Sequence, residues 1–297
     1  MSADLPLHRA ASAAGDLARA VEFQHAFARR KAPRVVAVPG GFAVLDDRFP
    51  GSYDDNKLIV GPGSEASGGA APEPPGGAAL GAPGPAVAPG ASVAAPEAAS
   101  GLLRAADEVL EGRDHRLVCV DDDRLGTALA PAFAAAGYEQ ETNLIMAFRG
   151  ELPPGLPGLP EAERLSLTEL LPVVRRDWRA TLPQAPEEAI DRLARRVEVR
   201  LRGADAVSFW GVRAPDGQIA ARADLYVHGG VAQIESVFTG EPHRGMGYAR
   251  ALMTALLAQA ADAELIFLVA DASDWPKDFY AKLGFVELGR THAFLRT

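Results

Sequence analysis

The sequence predicts an α/β (α+β) protein assembled from two units of similar size. It has 297 residues, whereas a typical domain has about 150. Segments that favour helices alternate with segments that favour strands through both halves. Hydrophobic residues make up 48% of the chain, which is enough apolar material for two cores. We therefore expect one domain at 1–150 and a second at 151–297.

The first half is predicted to begin with a polar, Ala-rich helix at 16–31. Short apolar runs bounded by turn residues then predict strands, and longer periodic segments between them predict helices. In chain order these are strands Arg34–Val38, Phe42–Leu45 and Leu58–Val60, a helix at 101–111, strand Arg116–Val120, helix Arg124–Ala136 and strand Asn143–Arg149.

One segment of the first half differs from the rest in composition. Gly, Pro and Ala fill 30 of the 40 positions at 61–100. Such a segment buries too little apolar surface to offset the entropy lost on ordering. We interpret it as a disordered or loosely extended insertion. A shorter Pro/Gly-rich stretch, Leu152–Pro160, is interpreted as the interdomain linker.

The second half is predicted to open with two helices, at 168–180 and 186–202. Pro186, followed by two glutamates, suits the first turn of the second helix. The Ala214–Gly217 segment is a strong turn signal between two strands. The remaining elements are strands Val207–Arg213, Gln218–Val227 and Val231–Thr239, a helix at 246–262, strand Glu264–Ala270, helix Trp275–Leu283 and strands Phe285–Leu288 and Thr291–Leu295.

Charge and composition exclude several classes of protein. The net charge is −9 and both halves are acidic, so nucleic acid is not an expected partner. An acidic surface weakly favours cationic substrates. No apolar run reaches the ~20 residues of a membrane span. The first 30 residues carry no secretory signal pattern, so a cytoplasmic location is expected. A single cysteine, Cys119, excludes an internal disulfide and a multi-cysteine zinc site, and no metal is expected.

The most informative segment joins a strand to a helix at 235–249. Gly245 and Gly247 let the backbone turn tightly and approach a ligand closely. The helix after this turn has an apolar stripe at Met253, Leu256 and Leu257. Its free N–H groups and its dipole form an anion site, for which a pyrophosphate is the natural occupant. The segment is neither a Gly-x-x-x-x-Gly-Lys-Ser/Thr loop nor a three-glycine dinucleotide fingerprint.

This segment resembles the pyrophosphate loop of the GNAT acetyltransferase superfamily, Arg/Gln-x-x-Gly-x-Gly/Ala, which Arg244, Gly247 and Ala249 match in register. About thirty residues later, Tyr280 precedes Lys-Leu-Gly-Phe at 282–285, which resembles the closing segment of the same family. The resemblance covers about 165–297.

The resemblance implies a mixed sheet, flanked by helices, whose two central strands splay apart to hold acetyl-CoA. Backbone groups of Val237 and Thr239 would bind the pantetheine arm. Ser273 occupies a position where many members have a cofactor-contacting Asn. The amides that would hold the pyrophosphate belong to Arg244, Gly245, Met246, Gly247, Tyr248 and Ala249.

The resemblance also assigns two proton-transfer roles. An ammonium must lose a proton before it becomes a nucleophile, and Glu235 is the best candidate for the base. Tyr280 occupies the usual place of the acid that protonates the leaving thiolate, and a phenol with a pKa of ~10 is protonated at neutral pH. The alternatives are that Glu235 is a strand residue at a sheet rim and that Tyr280 packs in the core.

Residues 114–149 repeat the strand–helix–Gly-aromatic–strand order of the second half. We interpret the first half as a degenerate GNAT-like unit in a tandem protein. No Arg-x-x-Gly-x-Gly/Ala loop occurs in 1–150, and the insertion lies where that loop would be. The first half is therefore not expected to bind acetyl-CoA.

The predicted function is acetyl-CoA-dependent N-acetylation of a primary amine, carried by a small molecule or a peptide. The main alternative is a non-catalytic acyl-CoA sensor or regulatory module. A longer acyl donor, or a protein N-terminus or lysine as acceptor, also agrees with the sequence, which predicts neither the acceptor nor the oligomeric state.

Four other features are interpreted without a catalytic role. His243 is expected to be a loop residue, Cys119 an inert buried thiol, and the acids at 121–123 a loop and helix cap. The Ser52–Asn56 segment is interpreted as a turn, in preference to part of an amine pocket.

Overall fold

The computed structural model describes residues 13–62, 95–152, 158 and 160–297. They form a mixed sheet of eleven strands with helices on both faces, which confirms the predicted fold class. The strands are β1 (Arg34–Val38), β2 (Gly41–Leu45), β3 (Lys57–Val60), β4 (Arg116–Val120), β5 (Glu139–Phe148), β6 (Ala162–Leu165), β7 (Ala206–Arg213), β8 (Ile219–His228), β9 (Val231–Thr239), β10 (Leu265–Asp271) and β11 (Phe285–Arg296). The helices are α1 (Ala13–Lys31), α2 (Ala95–Val109), α3 (Asp123–Ala135), α4 (Leu167–Thr181), α5 (Glu187–Arg195), α6 (Val197–Arg200), α7 (Tyr248–Gln259) and α8 (Pro276–Lys282).

The two halves of the chain interlock within this sheet. The strand order is β1-β2-β3-β4-β11-β5-β10-β9-β8-β7-β6. The last strand, β11, therefore lies between two strands of the first half, and β5 of the first half pairs with β10 of the second. The order β1-β2-β3-β4-β11 corresponds to β7-β8-β9-β10-β5, with parallel pairs at β3/β4 and β9/β10. This correspondence supports the interpretation of the first half as a second GNAT-like unit.

Successive side chains of each strand point to opposite faces of the sheet, and helices pack on both faces. On one face, Ile266 and Leu268 of β10 share a core with Leu252 and Leu256 of α7. Further along that face, α2 and α3 pack on β3 and β4. On the opposite face, α1 packs on β5, β9 and β10, and the helices α4 to α6 pack near β6 and β7. The face covered by α1 is the one that bears the catalytic candidate Glu235.

Several predicted boundaries are wrong for identifiable reasons. The helix predicted at 186–202 is interrupted at Arg196, where α5 ends and α6 begins. The two final strands are one strand, β11, with an irregularity between Glu287 and Gly289. The short strand β6 was not predicted, because its four residues show no apolar alternation.

The predicted insertion extends too far at its C-terminal end. Residues 95–100 belong to α2, which has a proline near its first turn, where the missing N–H costs nothing. Residues 63–94 of the insertion lie outside the described residues, as do 153–157 and 159 of the predicted linker.

Candidate functional site

The parallel strands β9 and β10 separate part of the way along their length. They pair only where Val231–Gln233 face Leu265–Phe267. Beyond that point β9 continues to Thr239, paired with β8 alone, while β10 continues to Asp271, paired with β5. One edge of β9 therefore faces a gap in the middle of the sheet. This is the splay that the family resemblance implies, and it includes the predicted pantetheine contacts Val237 and Thr239.

A loop with two left-handed glycines leads from the end of β9 into α7. Gly245 and Gly247 have φ angles of 75° and 87°, values that residues with a Cβ adopt at an energetic cost. Among the described residues, no side chain caps the start of α7. The first N–H groups of the helix also have no partner within the helix, and its dipole favours an anion there. The loop thus meets the requirements of the predicted pyrophosphate site.

The side chains of this loop differ in their surroundings. Arg244 donates from Nε to the Thr239 carbonyl at 3.3 Å, which places the guanidinium beside the end of β9. Met246 is 57% exposed, whereas Tyr248 is buried in the core under α7. Ala249 lies next to it in the first turn of the helix. The Tyr248 side chain therefore has a packing role, and only its amide is available to a ligand.

Ser273, on the other side of the gap, is engaged within its own turn. Its hydroxyl and its amide both donate to Asp271 Oδ1, at 2.8 and 2.7 Å. These hydrogen bonds lower the pKa of the Asp271 carboxyl. The hydroxyl must therefore exchange this partner, or use its lone pairs, to contact a pantetheine arm.

Glu235 lies on β9 just beyond its last pair with β10. Its carboxylate accepts from Gln233 Nε2 at 2.7 Å and from the Ser236 amide at 3.1 Å. Ser236 has a φ of 56°, and the β8/β9 register shifts beside it. Such a bulge re-aims the neighbouring side chains. Here it fixes the Glu235 carboxylate at the gap on the α1 face.

Burial adjusts the acidity of both catalytic candidates. Burial raises the pKa of Glu235, although the Arg200 charge opposes this shift. Burial, assisted by the negative charge of Glu235, raises the pKa of Tyr280 to about 12. Glu235 is therefore a stronger base than an ordinary carboxylate, and Tyr280 keeps its proton at neutral pH.

A buried polar cluster beneath Glu235 was not predicted from the sequence. Arg200 donates to Asp224 Oδ2 at 2.7 Å and to the Ser236 hydroxyl at 3.1 Å. Tyr226 donates its hydroxyl to the same Asp224 oxygen at 2.6 Å. Asp224 and Tyr226 are two residues apart on β8 and therefore face the same side of the sheet. In the sequence, the signal for this cluster was a charged residue within an otherwise apolar strand. The cluster holds Arg200 and Ser236 in place next to the candidate base.

A cavity of about 740 Å³ opens from Glu235 along the α1 face of the sheet. Its walls come from both halves and include Lys31 of α1, Lys57 of β3, Arg200 of α6 and Glu235 itself. The Ser52–Asn56 segment also contributes, through Tyr53 and Asp54. That segment contains a 3₁₀ turn, as predicted, and the turn also lines the cavity.

Ion pairs attach this turn to the second half. Arg196, at the break between α5 and α6, contacts Asp54 at 2.8 Å and Asp55 at 2.7 Å. Lys31 contacts Asp55 at 2.8 Å. Burial alone would raise the pKa of Asp55, but Lys31 and Arg196 outweigh it and lower this pKa to about 2. This part of the cavity lining is therefore held by charges from two other parts of the chain, α1 and the break between α5 and α6.

The corresponding place in the first half is closed. Strands β3 and β4 pair up to Val60 and Val120, and the Asp121 amide donates to the Val60 carbonyl at 2.8 Å. A Cβ on Gly61 would come within 3.1 Å of the Asp121 side chain. This contact leaves no space between the two strands for a ligand arm.

The remaining candidates have structural surroundings. Burial raises the pKa of Cys119 to about 11, so it is a thiol at neutral pH. Asp122 accepts from the Leu125 amide at 2.7 Å and caps α3, as predicted. Asp121 contacts His25 at 2.7 Å, and Asp123 contacts His292 at 2.9 Å.

His243 lies in a short 3₁₀ turn and packs edge-on to the Tyr248 ring. The described part of the chain has no group of side chains suited to a metal ion.

Comparisons with known proteins find similarity to one family of enzymes. Residues 168–285 match the model of the acetyltransferase (GNAT) family. A GCN5-related N-acetyltransferase from Kribbella flavida has 17% identity and a TM-score of 0.59, and the match covers 94% of each chain. A tandem GNAT protein from the clavulanic acid biosynthesis pathway has 15% identity and a TM-score of 0.51, covering 95% of this chain and 94% of that one.

A GNAT-family protein from Novosphingobium aromaticivorans is 24% identical, with a TM-score of 0.39 over 53% of this chain. This chain spans 64% of that protein's length. No curated protein sequence matches significantly. The two similarities with TM-scores above 0.5 establish the fold alone, which agrees with the splayed sheet. Among the described residues, no helix has the length and apolar character needed to cross a membrane.

Proposed function

Residues 168–285 belong to the acetyltransferase (GNAT) family, and from this premise we propose that the protein transfers an acetyl group from acetyl-CoA to a primary amine. The observation that carries the proposal is the gap between β9 and β10. A glycine loop with an uncapped helix start lies at the end of β9. Glu235, whose pKa is raised, lies within the gap on the face of the sheet that α1 covers. The proposed cofactor site and the proposed proton acceptor thus share one gap in the sheet.

The residues of the gap fit acetyl-CoA, which supplies the acyl group as a reactive thioester when bound. The open edge of β9 offers backbone groups of Val237 and Thr239 to the pantetheine arm, as a neighbouring strand would. The backbone amides at 244–249 and the Arg244 guanidinium suit the pyrophosphate. Ser273 would contact the arm from the β10 side after its hydroxyl exchanges the Asp271 carboxylate for the arm. An N–H group near Val237 can polarise a carbonyl held in the gap.

Proton transfer is assigned to Glu235 and Tyr280. An amine acceptor arrives as an ammonium and must lose a proton to attack. The burial that raises the pKa of Glu235 makes it a suitable acceptor for that proton. Tyr280 retains its proton at neutral pH and can donate it to a departing thiolate. The charge of Glu235 contributes to the raised pKa of Tyr280, so the two groups lie within electrostatic range of each other.

The alternative is a non-catalytic acyl-CoA sensor. The observation that favours it is the Ser273 hydroxyl, which donates to Asp271. A sensor would bind acetyl-CoA and release no free CoA with any amine. A longer acyl chain, or a peptide amine as acceptor, would leave the same roles in place and change only the group that fills the cavity.

The first test is a calorimetric titration of acetyl-CoA into the purified protein. We expect one site, with affinity in the usual enzyme range of roughly 1 μM to 1 mM. Gly247→Trp should abolish binding, because a bulky side chain and a φ of 87° are incompatible with the loop. Gly217→Trp is the matched control, since Gly217 also has a positive φ, with no heavy atom within 4 Å of its virtual Cβ. Absence of binding would refute the proposal, and two sites would contradict the closed β3/β4 pair.

A further inference from the structure

The charges that line the 740 Å³ cavity are unevenly matched. Each of its lysines and arginines lies within 4 Å of a carboxylate: Lys31 of Asp55, Lys57 of Asp54 and Arg200 of Asp224. Its two histidines, His25 and His292, contact Asp121 and Asp123. The cavity therefore offers no unmatched cation to an anionic group among the described residues.

Three carboxylates of the same cavity have no such partner. Glu139 and Glu141 of β5, and Glu235 of β9, all line it. Within the described part of the chain, none of the three lies within 4 Å of a lysine, arginine or histidine nitrogen. Opposite charges close by stabilise ionised carboxylates, so these three would be stabilised by positive charge brought by a ligand.

The sheet register places these carboxylates at two ends of the cavity. Asn143 of β5 faces Asp271 of β10, and Phe267 of β10 faces Gln233 of β9. Glu141 and Glu235 are thus separated by two strand spacings and about four residues along the strands. At ~3.4 Å per residue and no less than ~4.8 Å per strand spacing, because β9 and β10 have separated at this point, their Cα atoms are about 17 Å apart or more. Glu139 lies on the same face as Glu141, one pleat further along β5.

We propose that this cavity is the acceptor site and that it takes an elongated aliphatic polyamine, with one amine at Glu235 for acetylation and a second, as an ammonium, at Glu139 and Glu141. The assignment rests on the proposed function. Because the side chains project into the cavity, the two nitrogens would be separated by about eight to twelve bonds, at ~1.2 Å per bond. The acetylated nitrogen gives its proton to Glu235, and the second nitrogen stays charged throughout.

The test is calorimetric titration with spermidine and butylamine, without acetyl-CoA, at low ionic strength. We expect spermidine to bind at least tenfold more tightly than butylamine. The double variant Glu139→Gln/Glu141→Gln should weaken spermidine binding about tenfold and leave butylamine binding unchanged. Glu111→Gln is the matched control, an exposed glutamate of the same half that lies outside the cavity lining, and it should change neither affinity.

Three outcomes overturn the proposal. Equal affinity for spermidine and butylamine would remove the second ammonium site. Unchanged spermidine binding in the double variant would place that site elsewhere. A lysine-rich peptide that binds more tightly than spermidine, with the same dependence on Glu139 and Glu141, would replace the small polyamine with a protein acceptor. The acetyl-CoA titration needs no acceptor and this one needs no acetyl-CoA, so failure of either inference is distinguishable from failure of the other.

Discussion

The parallel pairs β3/β4 and β9/β10 occupy corresponding places in the sheet, yet one is closed and the other is open. In the closed pair, β3 ends at the residue of its last pairing, Val60, and Asp121 extends the pairing by one hydrogen bond. In the open pair, β9 continues for six residues past its last pairing at Gln233. Both β9 and β10 therefore continue past their last pairing with each other and diverge, whereas β3 and β4 end at theirs.

The chain also leaves the two pairs along different paths. The bulge at Ser236 and the left-handed glycines at 245 and 247 redirect the chain after β9, so that α7 starts at the mouth of the gap. After β3 the chain passes Gly61, whose close approach to Asp121 leaves no room between the strands. Equivalent topology thus gives one candidate active site and one structural counterpart. The structural half still contributes part of the cavity lining, through Asp54 and α1.

The largest expected effect is on the chemistry of the open pair. Glu235→Gln removes the proton acceptor, and we expect kcat/KM for an amine to fall by about 10²- to 10⁴-fold, the usual contribution of a general base. Acetyl-CoA affinity in the calorimeter should stay the same, because the loop at 244–249 is untouched. Glu111→Gln, in the first half, should retain full activity. Turnover of Glu235→Gln at the wild-type rate would remove the assignment of Glu235 as base.

The pH profile of the same variant gives an independent check. The pKa of Glu235 is raised, so wild-type kcat/KM should increase with pH through a value above that of an ordinary glutamate, and the variant should lose this limb. Stability has the opposite dependence. A carboxyl whose pKa is raised on folding binds more protons in the folded state, so its contribution weakens as pH rises through that window. At pH 7.5 the variant should therefore unfold at a higher urea concentration than the wild type.

The next largest effect is on the stability of the Tyr53–Asp55 turn, through which the first half lines the cavity. Asp55 is buried between Lys31 and Arg196, so Asp55→Asn leaves the buried Lys31 without its carboxylate and Arg196 with Asp54 alone. Breaking such a pair costs about 3–5 kcal/mol, which urea denaturation will measure. Asp54→Asn is the matched comparison. Its side chain is 59% exposed and pairs with the same Arg196, so its loss should cost about 1 kcal/mol or less.

The pH dependence of these two variants carries a definite sign. Because the pKa of Asp55 is lowered from 3.8 to about 2, its contribution is complete above the unfolded pKa and is lost as the pH falls toward 2. The difference between the wild type and Asp55→Asn should therefore shrink on acidification. Equal effects of the two substitutions at neutral pH would mean that the turn is not anchored through Asp55.

The bounds of individual strands in both parallel pairs, and the loop after β9, were predictable from the sequence. Which strands lie next to one another in the sheet was not. The bounds of β4 and β9 agree with the predicted Arg116–Val120 and Val231–Thr239, because turn residues flank both apolar segments. The loop at 244–249 was predictable because its glycines and arginine have fixed spacing. The insertion of β11 beside β5 was not, since neither the alternation of β5 nor that of β11 identifies a partner about 150 residues away. The cavity under α1 depends on that same long-range pairing, because β5 and β11 both line it. The Arg200–Asp224 contact joins α6 to β8, and neither segment alone identifies the other as its partner.

The smallest expected effect compares one tyrosine from each half. The Tyr138 hydroxyl is buried without a hydrogen-bond partner among the described residues, so Tyr138→Phe removes an unsatisfied polar group and should stabilise the protein by about 1 kcal/mol, measured by urea denaturation. The Arg296 guanidinium above the ring, 4.9 Å from its centroid, keeps its contact in the variant, and kcat should be unchanged. Tyr280→Phe should instead lower kcat about tenfold or more, because it removes the candidate proton donor. If Tyr138→Phe lowered kcat as much as Tyr280→Phe, the first half would have a catalytic role and the contrast between an open, active half and a closed, structural half would fail.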